Sequence, residues 1–240
     1  MVICAIFKNE ARYLKEWIEF HLKQGVEKFY LYQNNSADKW QFILDYPEVD
    51  VTGWPMRNPS QLAAYQHCID RLKGQKEWGA FIDVDEFLFS PLCPTLDEAM
   101  RDLPPHWGAV GVNWVCYGSG GKMEWEDAPV TERFTKRTRL GDPMNLHIKS
   151  IVRMDQEVKA GTNPHFFEVE RGTFDELGRK LTGAYTETHT SCLLRINHYI
   201  SKSYAEWVER NRWGKPDRAE LEAQPWTWDE PNIEDPCLKS

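Results

Sequence analysis

Asp83 and Asp85 stand one residue apart in an otherwise apolar run, Phe81-Ile82-Asp83-Val84-Asp85-Glu86-Phe87-Leu88-Phe89. Residues two apart on an extended segment project to the same side. Two carboxylates so placed repel and raise each other's pKa unless a cation lies between them. Hard oxygen donors suit Mg²⁺ or Mn²⁺ better than zinc. The pair therefore reads as a divalent-metal site able to hold a diphosphate. Asp-x-Asp also arises in solvated loops and helix caps. Here the flanks are too apolar for a surface loop, and ligands of open α/β sheets gather at strand carboxyl ends. Glu86 is expected to point away from the cation, and Phe87 into the core.

The elements that must position this pair can be read from hydrophobic spacing. Val2 to Phe7 is a continuous apolar run, expected as a central buried strand. Ala11, Leu14, Trp17, Ile18, His21 and Leu22 then recur at helical spacing, and Gly25 suits a helix end. Lys28 to Gln33 reads as a second strand, Asp38 to Leu44 as a short helix, and Val49 to Gly53 as a third strand. Ser60 to Leu72 reads as a helix with Leu62, Tyr65, Ile69 and Leu72 inward. Trp78 to Ile82 is the strand that delivers the Asp pair. Thr95 caps a further helix, with Glu98 at its third position, and Pro104-Pro105 stops it. Ala109 to Cys116 is a further strand.

Four alternations of strand and helix in 116 residues predict an α/β fold with a doubly wound, mostly parallel sheet. Beyond Gly118-Ser119-Gly120-Gly121 the pattern changes to short strand-like runs at 150–153, 165–169 and 192–199. This half is expected to be smaller and antiparallel or irregular. Residues 202–213 read as a helix with Tyr204, Trp207, Val208 and Asn211 on one side. Residues 214–240 read as a polar extension with Trp226 and Trp228 as possible docking anchors. No GxGxxG follows the first strand and no GxxxxGK[ST] occurs, which disfavours a dinucleotide Rossmann domain and a P-loop NTPase.

Composition sets outer bounds. The 240 residues are 41% hydrophobic and 28% charged, as in an ordinary globular chain. Asp plus Glu outnumber Lys plus Arg, 37 to 29, for a net charge of -8. That excludes nucleic-acid recognition through a broad basic surface. The 11 Trp and 9 Tyr supply core volume and also platforms for sugar rings. The six cysteines show no CxxC spacing, which fits free thiols in a reducing compartment. No apolar run reaches the length of a membrane span. The expectation is a cytoplasmic chain with at most peripheral membrane association.

More specific evidence comes from longer stretches. CAIFKNEARYLKEWIEFHLKQGVEKFYLYQNNSAD, WGAFIDVDEFLF, NWVCYGSGG, VTERF, HIKSIVR and INHYISKSYAEW occur in that order between about residues 2 and 213. Together they resemble the family-92 glycosyltransferases and related family-2-like transferases. The resemblance implies a GT-A-type fold in a single catalytic domain, residues 1–213. Residues 1–117 would bind the nucleotide-sugar and residues 118–213 the acceptor. It also implies a UDP-sugar donor, a glycan or glycolipid acceptor, Mn²⁺ or Mg²⁺, and transfer with inversion. Two departures stand out. Animal members often carry a membrane anchor, and the loop here reads YGSGGKME where relatives are expected to have a His or a second Ser.

The resemblance also implies roles by position. Lys8, Asn9 and Glu10, after the first strand, would line the nucleotide base, with Gln33, Asn34 and Asn35 beside them and Asp38 at its imide edge. The asparagines equally suit simple turns. Gln61 and Tyr65 would reach the ribose or sugar, or Tyr65 would be core. Asp83 would contact the ribose, and the metal through water. Asp85 would ligate the metal, with His198 as a further ligand and Lys202 pairing with phosphate. His165 competes with His198 for that role, while His21, His147 and His189 read as structural. Inversion requires a carboxylate base. Glu124, Glu126 and Asp127 are its candidates, with Glu132 and Glu168 as others, and such charged segments are also commonly solvated. Trp114, Tyr117 and Trp125 could stack on sugar or fill core.

Rival readings share some of these features. A sugar nucleotidyltransferase would carry a Gly-rich basic loop where Lys8-Asn9-Glu10 stands. A glycoside hydrolase would use two carboxylates about 5–10 Å apart and no metal. A nucleotide-sugar or glycan binding module would not need the Asp pair.

Overall fold

The computed structural model describes residues 1–56, 60–75, 78–213 and 233–235. The expected tail, residues 214–240, otherwise lies outside the described residues. In chain order the first half runs β1 (Val2–Phe7), α1 (Ala11–Lys23), β2 (Lys28–Gln33), a 3₁₀ turn (Trp40–Asp45) and β3 (Val49–Gly53). It continues with α2 (Ser60–Leu72), β4 (Trp78–Phe81), β5 (Glu86–Phe89), α3 (Leu96–Met100) and β6 (Ala109–Cys116). The second half adds α4 (Val130–Arg133), β7 (Lys136–Arg137), a 3₁₀ turn (Pro143–Leu146), β8 (Ile148–Arg153), β9 (Val158–Asn163) and β10 (Phe166–Val169). Then come β11 (Thr173–Phe174), β12 (Lys180–Leu181), β13 (Arg195–His198), α5 (Tyr204–Trp213) and β14 (Ile233–Glu234).

The main sheet has the order β12-β11-β6-β8-β4-β1-β2-β3. β4, β1, β2 and β3 are mutually parallel. β8 inserts antiparallel between β4 and β6, so a strand of the second half completes the sheet of the first. β13 runs parallel to β6 and antiparallel to β5. The result is an α/β fold with a mixed, mostly parallel central sheet.

β1 is buried along its whole length because both of its faces are covered. Ile3, Ala5 and Phe7 join the core under α1 with Leu14, Trp17 and Ile18. Val2, Cys4 and Ile6 join the core under α2 with Tyr65, Cys68 and Ile69. That two-sided burial accounts for an unbroken apolar run rather than an alternating one.

Three local expectations change. Asp38–Leu44 forms no α-helix; a 3₁₀ turn spans Trp40–Asp45. The Asp stretch is not one strand: β4 stops at Phe81, residues 82–85 turn, and β5 restarts against β13. On α5 the inward residue is Glu206, 4% exposed, while Tyr204 is 40% exposed. The helix turns a charged face inward, and apolar periodicity cannot report that.

Candidate active site

A cleft opens at the carboxyl end of β1, enclosing about 930 Å³ of space with its open mouth included. Its lining combines the turn after β1 (Lys8, Asn9, Glu10), Arg12 and Tyr13 of α1, Gln61, the turn Asp83–Asp85, and Ser201, Lys202, Glu206, Glu209 and Arg210.

Because the Asp stretch turns, its two carboxylates part. Asp83 faces α2 and β8. Its Oδ1 accepts from Gln61 Nε2 at 2.7 Å and Tyr65 OH at 3.4 Å, and its Oδ2 from Lys149 Nζ at 2.9 Å. Burial opposes the Asp83 charge, but Lys149 keeps its pKa below the ordinary value. Glu86 turns to the Asp83 and Lys149 side. It is fully buried, accepts from the Asp83 N–H at 2.8 Å, and stands 3.6 Å from Lys149 Nζ. Burial raises the Glu86 pKa well above the ordinary value, against the pull of Lys149.

Asp85 faces β13 and α5. His198 Nε2 is 3.5 Å from its Oδ1, Arg210 Nη2 is 3.0 Å from its Oδ2, and Lys202 Nζ is 3.9 Å away. Burial works against its charge, yet Arg210, His198 and Lys202 hold its carboxyl well below the usual range. Burial pushes the His198 pKa down, which favours the neutral ring, and Asp85 opposes that shift. The Lys202 backbone takes a left-handed φ of 54°, rare for a side-chain-bearing residue, and its ammonium lies 4.6 Å from the centre of the Tyr13 ring.

The arrangement near Asp85 suits a divalent cation in part. Among the described residues no cluster of three or more His, Cys, Asp or Glu side chains forms a preassembled metal cage. Asp85 and His198 stand together, the carboxylate ionised and the ring uncharged, as ligation requires. Asp85 Oδ2 is buried without a hydrogen bond. One carboxylate and one imidazole, completed by substrate phosphates and water, is a donor set such ions accept. Asp83 differs, since both its oxygens already serve Gln61, Tyr65 and Lys149.

The remaining expected residues spread out. Asn9 has a left-handed φ of 56°, and its Oδ1 accepts from the Ala37 N–H. Asn34 is buried and donates to the carbonyls of Trp54 and Met56. Asn35 donates to Pro55 O and Gln33 to Ser36 O. These side chains hold one turn against another. Asp38 Oδ2 accepts from the Ala11 N–H at 2.7 Å and so caps α1 from a separate loop. His165 faces the Ile148 carbonyl and the Trp114 ring instead of Asp85. Glu124, Glu126 and Asp127 are exposed and lie outside the cleft lining, and Glu126 pairs with Lys122. Glu132 and Glu168 are exposed as well. The cleft carboxylates besides the Asp pair are Glu10, Glu206 and Glu209. Trp114 and Tyr117 are core, whereas Trp125 is 43% exposed and packs over Arg12 at the cleft edge.

Sequence reasoning missed Lys149, Arg210 and Glu206. Lys149 lies just before the run 150–153 read as strand-like and inside the observed β8, Ile148–Arg153, where a buried ammonium demands a carboxylate partner. Arg210 lies eight residues after Lys202, inside α5, whereas Lys202 precedes the helix. Glu206 follows Ser203 by three residues, the spacing of a capping box, and the two exchange hydrogen bonds at the start of α5. Both Glu206 oxygens are bound by Arg133, at 2.9 Å each, and Glu206 receives the Tyr13 hydroxyl at 2.8 Å.

The chain is similar to known proteins along nearly its whole length. A family 92 glycosyltransferase protein of Oryza sativa subsp. japonica is 32% identical over 241 residues, 91% of this chain and 39% of the relative. One from Arabidopsis thaliana is 31% identical over 250 residues, 91% of this chain and 41% of the relative. The chain thus spans about two fifths of the length of these curated relatives. Among solved structures, S. aureus TarS 1-349 aligns with 64% of this chain and 46% of its own, at 14% identity and a TM-score of 0.42. The glycosyltransferase family 92 model matches residues 1–212, and the chain belongs to that family.

Proposed function

We propose that this chain transfers a hexose from a UDP-sugar to a glycan or lipid-linked sugar, with inversion and with Mn²⁺ or Mg²⁺ bound. The observation that carries this reading is the convergence of Asp85, Lys202 and Arg210 in one cleft at the carboxyl end of β1, with the buried His198 against Asp85 from behind the lining. In this reading Asp85 and His198 hold the cation, and Lys202 and Arg210 meet the diphosphate. When bound, the cation supplies Lewis-acid stabilisation of the departing diphosphate.

Asp83, fixed by Lys149, Gln61 and Tyr65, presents an acceptor edge to the ribose. The proton of the acceptor hydroxyl needs a base within the cleft. Glu206 is consumed by Arg133 and Ser203, and Glu209 pairs with Arg12, which leaves Glu10. Membrane association is at most peripheral in this proposal. Among the described residues no helix is long and apolar enough to cross a membrane.

The deciding experiment is a thermal-shift screen of nucleotide-sugars with Mn²⁺, followed by transfer assays. UDP-sugars should raise the melting temperature only with the cation present, and Asp85→Ala should abolish both the shift and transfer while still folding. Normal transfer by Asp85→Ala would remove the metal assignment. Pyrophosphate release from UTP and a sugar phosphate would turn the reading to a nucleotidyltransferase.

A further inference from the structure

Arg210 occupies a place that a bound cation would contest. Its Nη2 lies 3.0 Å from Asp85 Oδ2, yet that oxygen receives no hydrogen bond, so the contact is one of charge without directed alignment. Its Nη1 is held separately, by the Ile200 carbonyl at 3.0 Å. The side chain is 26% exposed and lines the cleft, whereas Asp85 is 5% exposed. Lys202 stands 3.9 Å from the same carboxylate oxygen. Two permanent positive charges thus face the buried Asp85 carboxylate, and Glu10 is a further acidic group of the cleft that interacts with both of them. A divalent ion arriving alone would enter a site whose anion is already compensated, and like charges in a partly desolvated space repel strongly. A nucleoside diphosphate changes that balance. It brings several negative charges into the cleft that Arg210 and Lys202 both line, and guanidinium groups bind phosphate oxygens in a bidentate fork.

We propose that Arg210 is the resident counter-ion of Asp85 and yields it to a divalent cation when a nucleoside diphosphate enters the cleft. Arg210 then pairs with the phosphates, and cation and nucleotide bind with positive coupling. Coupling of this kind is reciprocal, so each ligand raises the other's affinity by one factor. The inference rests on the nucleotide-sugar reading above and adds an order to it: the free protein is guarded against the metal alone. The arginine is suited to the exchange because one nitrogen stays anchored on Ile200 while the other changes partner.

Mn²⁺ binding to the whole chain, followed by electron paramagnetic resonance with and without UDP, tests this. Wild-type protein should bind Mn²⁺ weakly alone and at least tenfold more tightly with UDP. Arg210→Met should bind Mn²⁺ alone at least tenfold more tightly than wild type, and UDP should add much less. Asp85→Asn, alone or combined with Arg210→Met, should bind no Mn²⁺ and leave the free-ion signal at full intensity. Unchanged or weaker Mn²⁺ affinity in Arg210→Met, with UDP still binding to wild type, overturns the exchange and leaves the nucleotide-sugar reading standing. Failure of wild type to bind UDP at any Mn²⁺ concentration overturns that reading and the coupling with it. Arg210→Gln, which keeps polarity without charge, replaces the methionine variant should that one not fold, and must give the same tightening.

Discussion

Lys149 and Asp83 form an ion pair, Nζ to Oδ2 at 2.9 Å, in which the lysine side chain is fully buried and the carboxylate keeps an edge in the cleft. β8 reaches that position only because it runs between β4 and β6. Lys149 also stands 3.6 Å from Glu86, so one ammonium serves two acidic groups. Lys149→Met removes the one positive charge in contact with both among the described residues. Taking one partner from a buried pair costs roughly 3–5 kcal/mol. Urea unfolding should show a lower midpoint at unchanged slope, and nucleotide affinity should fall as Asp83 loses its fixed orientation.

Asp38 separates a structural from a ligand-binding role. Its Oδ2 accepts from the first amide of α1, where no side-chain cap from Glu10 exists. Asp38→Ala should destabilise the fold by about 1 kcal/mol. Preference for uridine over cytidine nucleotides should stay as in wild type. Loss of that preference with stability intact would return Asp38 to the base-reading role.

Glu206 sets an acid limit on stability. Burial opposes its charge, but hydrogen bonds from Arg133 and Ser203 bring its pKa down to about 2 from an ordinary 4.5. The folded value is the lower one, so the contribution is complete above about pH 4.5 and is lost as pH falls toward 2. At 1.36 kcal/mol per unit the loss is on the order of 3 kcal/mol. Chemical unfolding of wild type and Glu206→Gln from pH 6 to 3 should show the wild-type advantage shrinking across that interval.

His21 acts in a higher window. Its Nε2 accepts from the Leu88 N–H at 3.0 Å, so the proton sits on Nδ1 and is donated to Trp17 O at 2.8 Å. Burial lowers its pKa from 6.5 to about 3. The unfolded chain therefore binds a proton that the folded one refuses, and stability falls as pH drops below about 6.5. His21→Leu should be less stable at neutral pH, because the Leu88 amide loses its acceptor. Its stability should also decline less between pH 7 and 5 than that of wild type.

The sequence by itself determined the alternating strands and helices of the first half, the burial of β1 and the presence of a carboxylate pair near the end of β4. Those features follow from local spacing: an unbroken apolar run for a two-sided strand, 3.6-residue recurrence for α1 and α2, and charged residues where the apolar run breaks. It also placed His198 and Lys202 as possible neighbours of the pair, through the family resemblance rather than through spacing. Only the tertiary structure decided that the two carboxylates diverge. The turn at residues 82–85 sends Asp83 to Lys149 and Asp85 to Arg210, and those partners lie 66 and 125 positions further along the chain (149 less 83, and 210 less 85). Only the tertiary structure, too, turned the charged face of α5 inward. Ser203 caps it locally, but a buried Glu206 is tolerable only once Arg133 and Tyr13 reach it from 73 and 193 positions away. Local pattern reports where apolar surface must go. Compensation of buried charge is settled between residues far apart in the chain, and it is that compensation which forms the cleft.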